Sequence, residues 1–89
     1  MAILRKKKRK LKAKDKVKEA WLKKLGLSIK ELRLEHDMSQ SDLAYSIKMD
    51  AQNISRLERG LTNSSAYLIN QICITLGVSL ADFYAPLEK

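Results

Sequence analysis

Apolar residues recur along this chain at spacings of three and four positions, which is the pattern of an α-helix that buries one face. In the first half of the chain the series is Val17, Trp21, Leu25, Ile29 and Leu32. No run of roughly four to eight residues alternates strictly between apolar and polar positions, as a half-buried strand would. The pattern therefore predicts an all-α protein.

Gly26 lies inside this first series and leaves two arrangements open. It can separate an N-terminal helix from the next one, or it can sit within one long helix at a cost of about 1 kcal/mol relative to Ala. In either case we expect the helix to end near His36 or Asp37. Ser39 is a good N-cap for the following helix, and Asp42 stands three positions later, as in a capping box.

Two short helices are predicted next, joined by the connection at residues 48–50. Asp50 is the candidate N-cap of the second of them, which should stop at Gly60. The apolar residues expected to face inward from this pair are Leu43, Ala44, Ile47, Ile54 and Leu57. The opposite side of the second helix is polar.

The remainder of the chain predicts two more helices. Asn63 or Ser64 can cap the first of them, and Gly77 would end it. Ser79 can cap the last helix, which must end before Pro86. The inner stripe of the first is expected to include Ile69, Ile72, Cys73 and Leu76, and the last helix contains Leu80 and Phe83.

The segment from Met38 to Gly60, which reads MSQSDLAYSIKMDAQNISRLERG, resembles the phage repressor and Cro-like helix-turn-helix family of bacterial DNA-binding regulators. The resemblance extends from about Leu25 to Phe83 through LGLSIKELRLEHDMSQ before the segment and ITLGVSLADF after it. It implies a compact five-helix domain whose second and third helices form the DNA-reading unit. The partner it implies is double-stranded DNA.

The resemblance also implies that the N-terminal part of the third helix contacts bases. The residues at those positions are Ala51, Gln52, Asn53, Ser55 and Arg56. Gln52 has the amide needed to pair with N6 and N7 of adenine, and Arg56 can bridge O6 and N7 of guanine. Ala51 can contact a thymine methyl group, whereas Asn53 and Ser55 can bind either a base or a phosphate.

Further positions match family residues that bind the DNA backbone. Gln40 starts the second helix, where backbone amides also favour an anion. The loop after the third helix supplies Asn63, Ser64 and Ser65. Arg33 and Glu58 occupy positions that form an ion pair in some relatives, and we assign that pair a structural role.

Two other expectations rest on the resemblance. Lys48 stands where the family commonly has Gly, so either its backbone adopts a left-handed conformation or the turn differs. The last helix often forms the dimer interface, which points to Leu80, Phe83, Tyr84 and Leu87. A homodimer should bind paired half-sites separated by roughly one helical turn of DNA.

Charge divides the chain into two parts. The net charge is +8, but residues 1–24 hold twelve Lys or Arg against two acidic residues, a net +10, while residues 25–89 hold six against eight, a net −2. We therefore treat residues 1–24 as a basic, partly helical N-terminal arm and residues 25–89 as the helix-turn-helix domain. The arm residues expected to bind phosphate are Arg5, Lys6, Lys7, Lys8, Arg9 and Lys10.

The arm also allows blander interpretations, namely a nuclear import signal or a solubilising tail. Trp21, at its end, is expected to anchor packing rather than to stack on nucleic acid. Tyr67, Leu68 and Ile74 leave surplus apolar surface on the fourth helix, which can receive the N-terminal helix or another subunit.

Other function classes find little support in the sequence. Cys73 has no second cysteine to pair with and is expected to be buried, and His36 has no metal-ligand neighbours at suitable spacing. We find no catalytic constellation, so we expect neither an enzyme nor a metal or other cofactor. No segment predicts a secretory signal or a membrane span, which makes the cytoplasm and its nucleoid the expected location.

The competing functions are two. An antitoxin or accessory module would bind an unidentified protein partner, and a nonspecific nucleic-acid binder would act through the arm. Strong salt dependence without sequence discrimination would distinguish the second of these from a regulator.

Overall fold

The protein is built from helices joined by short connections. The computed structural model describes the backbone of residues 2–88 and the side chains of residues 15–88. No strand occurs within that part, so the all-α prediction is confirmed. The helices are α1 (Ala2–Glu35), α2 (Gln40–Ser46), α3 (Ala51–Glu58), α4 (Ala66–Thr75) and α5 (Leu80–Tyr84), followed by a 3₁₀ turn at Ala85–Glu88.

Gly26 lies within one long helix, which resolves the ambiguity that the sequence left. α1 runs unbroken for 34 residues and passes through the charge boundary at residue 24. A Cβ atom at Gly26 would come within 2.5 Å of the carbonyl oxygen of Glu58 and would also collide with that of Leu57. Glycine therefore lets the backbone of α1 approach the C-terminal end of α3 directly.

The turn between α1 and α2 is closed by the predicted capping box. The backbone N–H of Asp42 donates to Ser39 Oγ at 2.9 Å, and the backbone N–H of Ser39 donates to Asp42 Oδ2 at 2.9 Å. α2 then buries Leu43 and Ala44. α1 ends at Glu35, in agreement with the predicted boundary.

Lys48 adopts the left-handed conformation with φ of 58°, which is the first of the two predicted alternatives. The turn thus keeps the geometry that favours glycine. Asp50 is the N-cap residue of α3, although its side chain makes no capping hydrogen bond there. α3 buries Ile54 and Leu57 against the rest of the domain.

The start of α4 corrects one sequence prediction. Ser65, not Asn63 or Ser64, is the N-cap residue, and its hydroxyl accepts a hydrogen bond from the backbone N–H of Leu68 at 3.1 Å. All three polar side chains are suited to capping, but Ser65 is the one that directly precedes the first helical residue. Ser79 caps α5 as predicted.

The buried apolar residues of all five helices form one core. Its members are Leu25, Ile29, Leu43, Ala44, Ile54, Leu57, Ile69, Ile72, Cys73, Leu76, Phe83 and Leu87. Burial also raises the pKa of the Cys73 thiol. No single helix in the described residues is long and apolar enough to cross a membrane, and only the bent pair Ala66–Thr75 with Leu80–Glu88 meets those criteria jointly.

Candidate nucleic-acid interface

One side of α3 presents a continuous polar stripe. Its residues are Gln52, Ser55, Arg56 and Arg59, which follow each other at helical spacings of three, one and three positions and line an open surface cleft of about 240 Å³. Such spacings place side chains on a single face of a helix. Ile54 and Leu57 point the other way and are 0% and 2% exposed. The core therefore fixes which face of α3 is presented to a ligand.

The predicted base-contacting residues differ in how they are placed within this interface. Gln52 and Arg56 are exposed, whereas Ala51, Asn53 and Ser55 are half-buried. Asn53 Oδ1 accepts a hydrogen bond from Arg56 Nη1 at 3.3 Å, so it orients the guanidinium from the preceding turn. Ala51 packs partly against the core.

Arg59, which the sequence places on the polar side of α3, extends the stripe beyond the predicted base-contacting residues. It is exposed, and its Nε donates to the carbonyl oxygen of Ser55 at 3.3 Å. The signal that could have found it is its spacing, because it stands seven positions after Gln52 on the same helical face. The stripe thus holds two guanidinium groups, at its middle and at its end.

Gln40, a predicted phosphate ligand, lies at the start of α2 and is half-buried. Its Nε2 donates to Glu58 Oε1 at 3.0 Å. An amide nitrogen carries two hydrogens, so one can still donate to another acceptor. The contact holds this side chain against the C-terminal end of α3.

The predicted Arg33–Glu58 ion pair is confirmed. Arg33 Nε and Nη2 donate to the two carboxylate oxygens of Glu58 at 2.6 and 3.0 Å, and both side chains are buried. Arg33 Nη1 also donates to the carbonyl oxygen of Met38 at 2.8 Å. The hydrogen bond to Glu58 raises the pKa of Arg33. This network connects α1, the turn after it and the end of α3.

The loop after α3 lines a second surface cleft of about 290 Å³. Among its lining residues are Asn53, Asn63, Ser64 and Ser65. Ser64 Oγ is shielded from solvent and makes no hydrogen bond within the described residues, while Asn63 is exposed. The loop residues predicted to bind phosphate are therefore brought together beside α3.

The basic arm residues Arg5 to Lys10 fall outside the side chains that the structure describes. The part of α1 that follows them lies beside the C-terminal end of α3. A Cβ atom at Gly60 would lie 2.9 Å from the Cα of Lys23, so α1 passes directly over the turn that ends α3.

The four residues predicted to form a dimer interface are divided by the fold. Phe83 and Leu87 are only 1% and 7% exposed because they pack into the core of their own chain. Leu80 is 42% exposed, and Tyr84 is half-buried. Of the four, only Leu80 and Tyr84 therefore leave surface that a second copy can contact. Trp21 stacks on Tyr84 with ring centroids 6.4 Å apart, as its predicted packing role requires.

Comparison with known proteins gives consistent matches. A family model described as helix-turn-helix matches residues 29–83. The control protein C.MunI from Mycoplasma sp is 33% identical over 67 residues, covering 74% of this chain and 90% of the relative. The antitoxin PezA from Streptococcus pneumoniae serotype 4 is 36% identical over 58 residues, but this chain spans only 37% of its length.

Solved structures extend the likeness to the fold. The restriction-modification controller protein C.Esp1396I, as a tetramer in complex with its natural 35 base-pair operator, is 37% identical with a TM-score of 0.69, covering 76% of this chain and 90% of that one. The clp gene regulator ClgR from Corynebacterium glutamicum is 26% identical with a TM-score of 0.73, covering 76% of this chain and 87% of that one.

Proposed function

The chain belongs to the helix-turn-helix family whose model its residues 29–83 match, and on this premise we propose that it is a sequence-specific transcriptional regulator. It binds double-stranded DNA by inserting α3 into the major groove and acts as a repressor or autoregulator. The observation that carries the proposal is the exposed polar stripe of α3, whose opposite side is sealed into the core. A major groove about 12 Å wide admits one α-helix presented in this way.

Within the proposal, Gln52 and Arg56 read bases by paired hydrogen bonds, which suit adenine and guanine respectively. Asn53 holds the Arg56 guanidinium through its Oδ1 and so limits the directions in which this side chain can reach. Ala51 and Ser55 contribute shorter contacts at the groove floor. A side chain oriented before binding loses less conformational entropy when it pairs with a base.

Phosphate contacts would fix the register of α3 on the duplex. We assign them to Gln40, to the loop residues Asn63, Ser64 and Ser65, and to the basic arm. Residues 25–89 carry a net −2 charge, so the arm supplies most of the attraction to DNA. A bacterial operator lies in the cytoplasm, at the nucleoid, and this is where the proposal places the protein.

We further propose that the protein acts as a homodimer on two half-sites. Two copies related by a two-fold axis present two α3 helices to DNA that has the same symmetry. The tetrameric operator complex of C.Esp1396I supports an oligomeric form. Leu80 and Tyr84 are the interface residues that the fold leaves accessible on α5.

The test is selection of bound duplexes from a random DNA library at physiological salt. We expect an inverted repeat with half-sites about one helical turn apart. The double variant Q52A/R56A should lose this preference. The matched control K30A/Q71A removes one charge and one amide from α1 and α4 and should select the same repeat. Binding with strong salt dependence and no selected motif would contradict the proposal and favour a nonspecific binder.

The similarity to PezA favours a second candidate, in which the same domain belongs to a protein-binding antitoxin or accessory module. This function does not exclude DNA binding. If the two are separate, Q52A/R56A would abolish operator binding and leave capture of the protein partner unchanged.

A further inference from the structure

We infer that the basic N-terminal segment is a directed helical extension of α1 which binds the phosphates of the duplex flanking the half-site, and that the stack of Trp21 on Tyr84 sets its direction. The inference rests on the proposed function, because it assumes that α3 occupies the major groove. It differs from a loose, charged arm in one respect. The location of the bound phosphates is fixed by the fold.

The root of this helix is anchored to the core. α1 continues without interruption from Ala2 to Glu35, and Leu22 and Leu25, at 8% and 4% exposure, are buried on its inner face. Trp21 stacks on Tyr84 with an interplanar angle of 6°. Tyr84 in turn meets Phe83 edge to face at 5.2 Å, and Phe83 is almost wholly buried. A row of aromatic rings therefore runs from the core to Trp21, where the basic segment joins the rest of α1.

The extension starts beside the C-terminal end of α3. Gly26 lies against the terminal carbonyl groups of α3, and the backbone of Lys23 lies against Gly60. The loop at residues 61–65, which holds the candidate phosphate-binding residues, follows Gly60 directly in the chain. The basic segment is thus joined to the domain beside the end of α3 and the loop that follows it.

The charge and length of the segment fit a stretch of duplex. Residues 1–24 carry a net charge of +10. The net charge of residues 25–89 is only −2, which is too small to neutralise it. From Ala2 to Lys23 the helix spans about 32 Å at the α-helical rise. This equals about nine base pairs at about 3.4 Å each. The ligand expected here is therefore a regular polyanion several base pairs long.

The experiment uses the substitution Ala20→Pro in the full chain. Ala20 is exposed, and proline is tolerated as the first residue of a helix, so α1 can restart at this position while Trp21 and Leu22 keep their places. All charges are retained, but the helix on the N-terminal side is uncoupled. The matched control Ala20→Gln changes the same exposed position to a residue that favours the helix.

Affinity is measured for the selected operator with no flanks and with about ten added base pairs on each side, over a range of salt concentrations. Wild type and A20Q should bind the flanked duplex more tightly, with a steeper salt dependence and protection of the flanks from hydroxyl radicals. A20P should lose the flank protection and most of the affinity gain. Its log affinity should depend less on log salt, by about 0.9 for each phosphate that the segment no longer binds.

Trp21→Ala provides a second variant, with the helix unbroken and the stack removed, and it should weaken flank protection in the same direction. Equal flank protection by A20P and wild type would overturn the inference. An operator affinity that does not rise when flanking base pairs are added would also overturn it. So would a basic segment that binds anionic vesicles of phosphatidylglycerol but does not change the affinity for DNA. In all arms Q52A/R56A reports separately on the proposed function, since base reading is assigned to these two residues of α3.

Discussion

Lys48 shows how a single backbone conformation can be retained against a local cost. Its φ of 58° belongs to the left-handed region, which is about 1–2 kcal/mol less favourable for a residue with a Cβ atom. The neighbouring backbone holds it there, because the N–H of Met49 donates to the carbonyl oxygen of Ala44 at 2.8 Å. The short connection between α2 and α3 depends on this turn.

Replacing Lys48 with glycine should therefore stabilise the protein. The strain relieved exceeds the extra entropy that glycine gives the unfolded chain, and we expect a net gain of about 0.5–1 kcal/mol. The matched control Lys48→Ala removes the same exposed charge and keeps the Cβ atom, so it should gain nothing. Urea unfolding measures both. Equal stability of the two variants would show that the turn is not strained.

At the scale of helices, the entry into α2 depends on two reciprocal hydrogen bonds. Ser39→Ala removes the hydroxyl that accepts from the backbone N–H of Asp42, and the expected loss is about 1 kcal/mol. For a domain of this size that corresponds to a melting temperature lower by roughly 4–8 °C. Ser46→Ala, at the exposed other end of the same helix, is the comparison and should change stability less.

Asp42 gives the same capping box a dependence on pH. The backbone N–H and the hydroxyl of Ser39 hold the pKa of this carboxyl below its ordinary value of 3.8. A lowered pKa means that the carboxylate stabilises the fold fully above that ordinary value and progressively less as the pH falls below it. Asp42→Asn should therefore reduce stability at neutral pH, and the gap between wild type and variant should narrow in acid. Melting curves from pH 7 to pH 2 measure this difference, and a constant gap between the two proteins throughout would contradict it.

Much of this architecture could be predicted from local chemistry, because the signals that start and stop helices lie within a few residues. Ser39, Ser79 and the positive-φ position at Lys48 are of this kind. The distances between helices could not be predicted from these local signals. The role of Gly26 depends on carbonyl groups of α3 that are more than thirty positions away in the chain.

The candidate site likewise has features that local sequence patterns predict and features that depend on packing between helices. The exposed stripe of α3, Arg59 included, follows from helical periodicity. Phe83 and Leu87 are buried in the core of their own chain because of how α5 and the turn after it pack. The spacing of apolar residues in the sequence could not distinguish this burial from burial in a dimer interface. Both arrangements place an apolar face of the helix against protein.

At the scale of the whole molecule, three segments meet at Glu58. It accepts two hydrogen bonds from Arg33 on α1 and one from Gln40 on α2, while belonging itself to α3. Buried carboxylates are costly to leave unpaired. Stability and the position of a candidate phosphate ligand are therefore set by one acidic side chain.

Arg33→Ala should cost about 3–5 kcal/mol, because it leaves the Glu58 carboxylate buried with Gln40 as its remaining side-chain donor. The double variant R33M/E58L replaces the pair with apolar side chains and should recover much of that loss, since removing both charges removes the unpaired one. Its DNA affinity should nevertheless stay below that of wild type, because Gln40 has lost the acceptor that holds it. Urea unfolding and operator binding measure the two effects separately. If R33A and R33M/E58L were equally unstable, the cost would come from lost packing rather than from an unpaired charge. If the double variant regained full affinity, Glu58 would have no part in positioning Gln40.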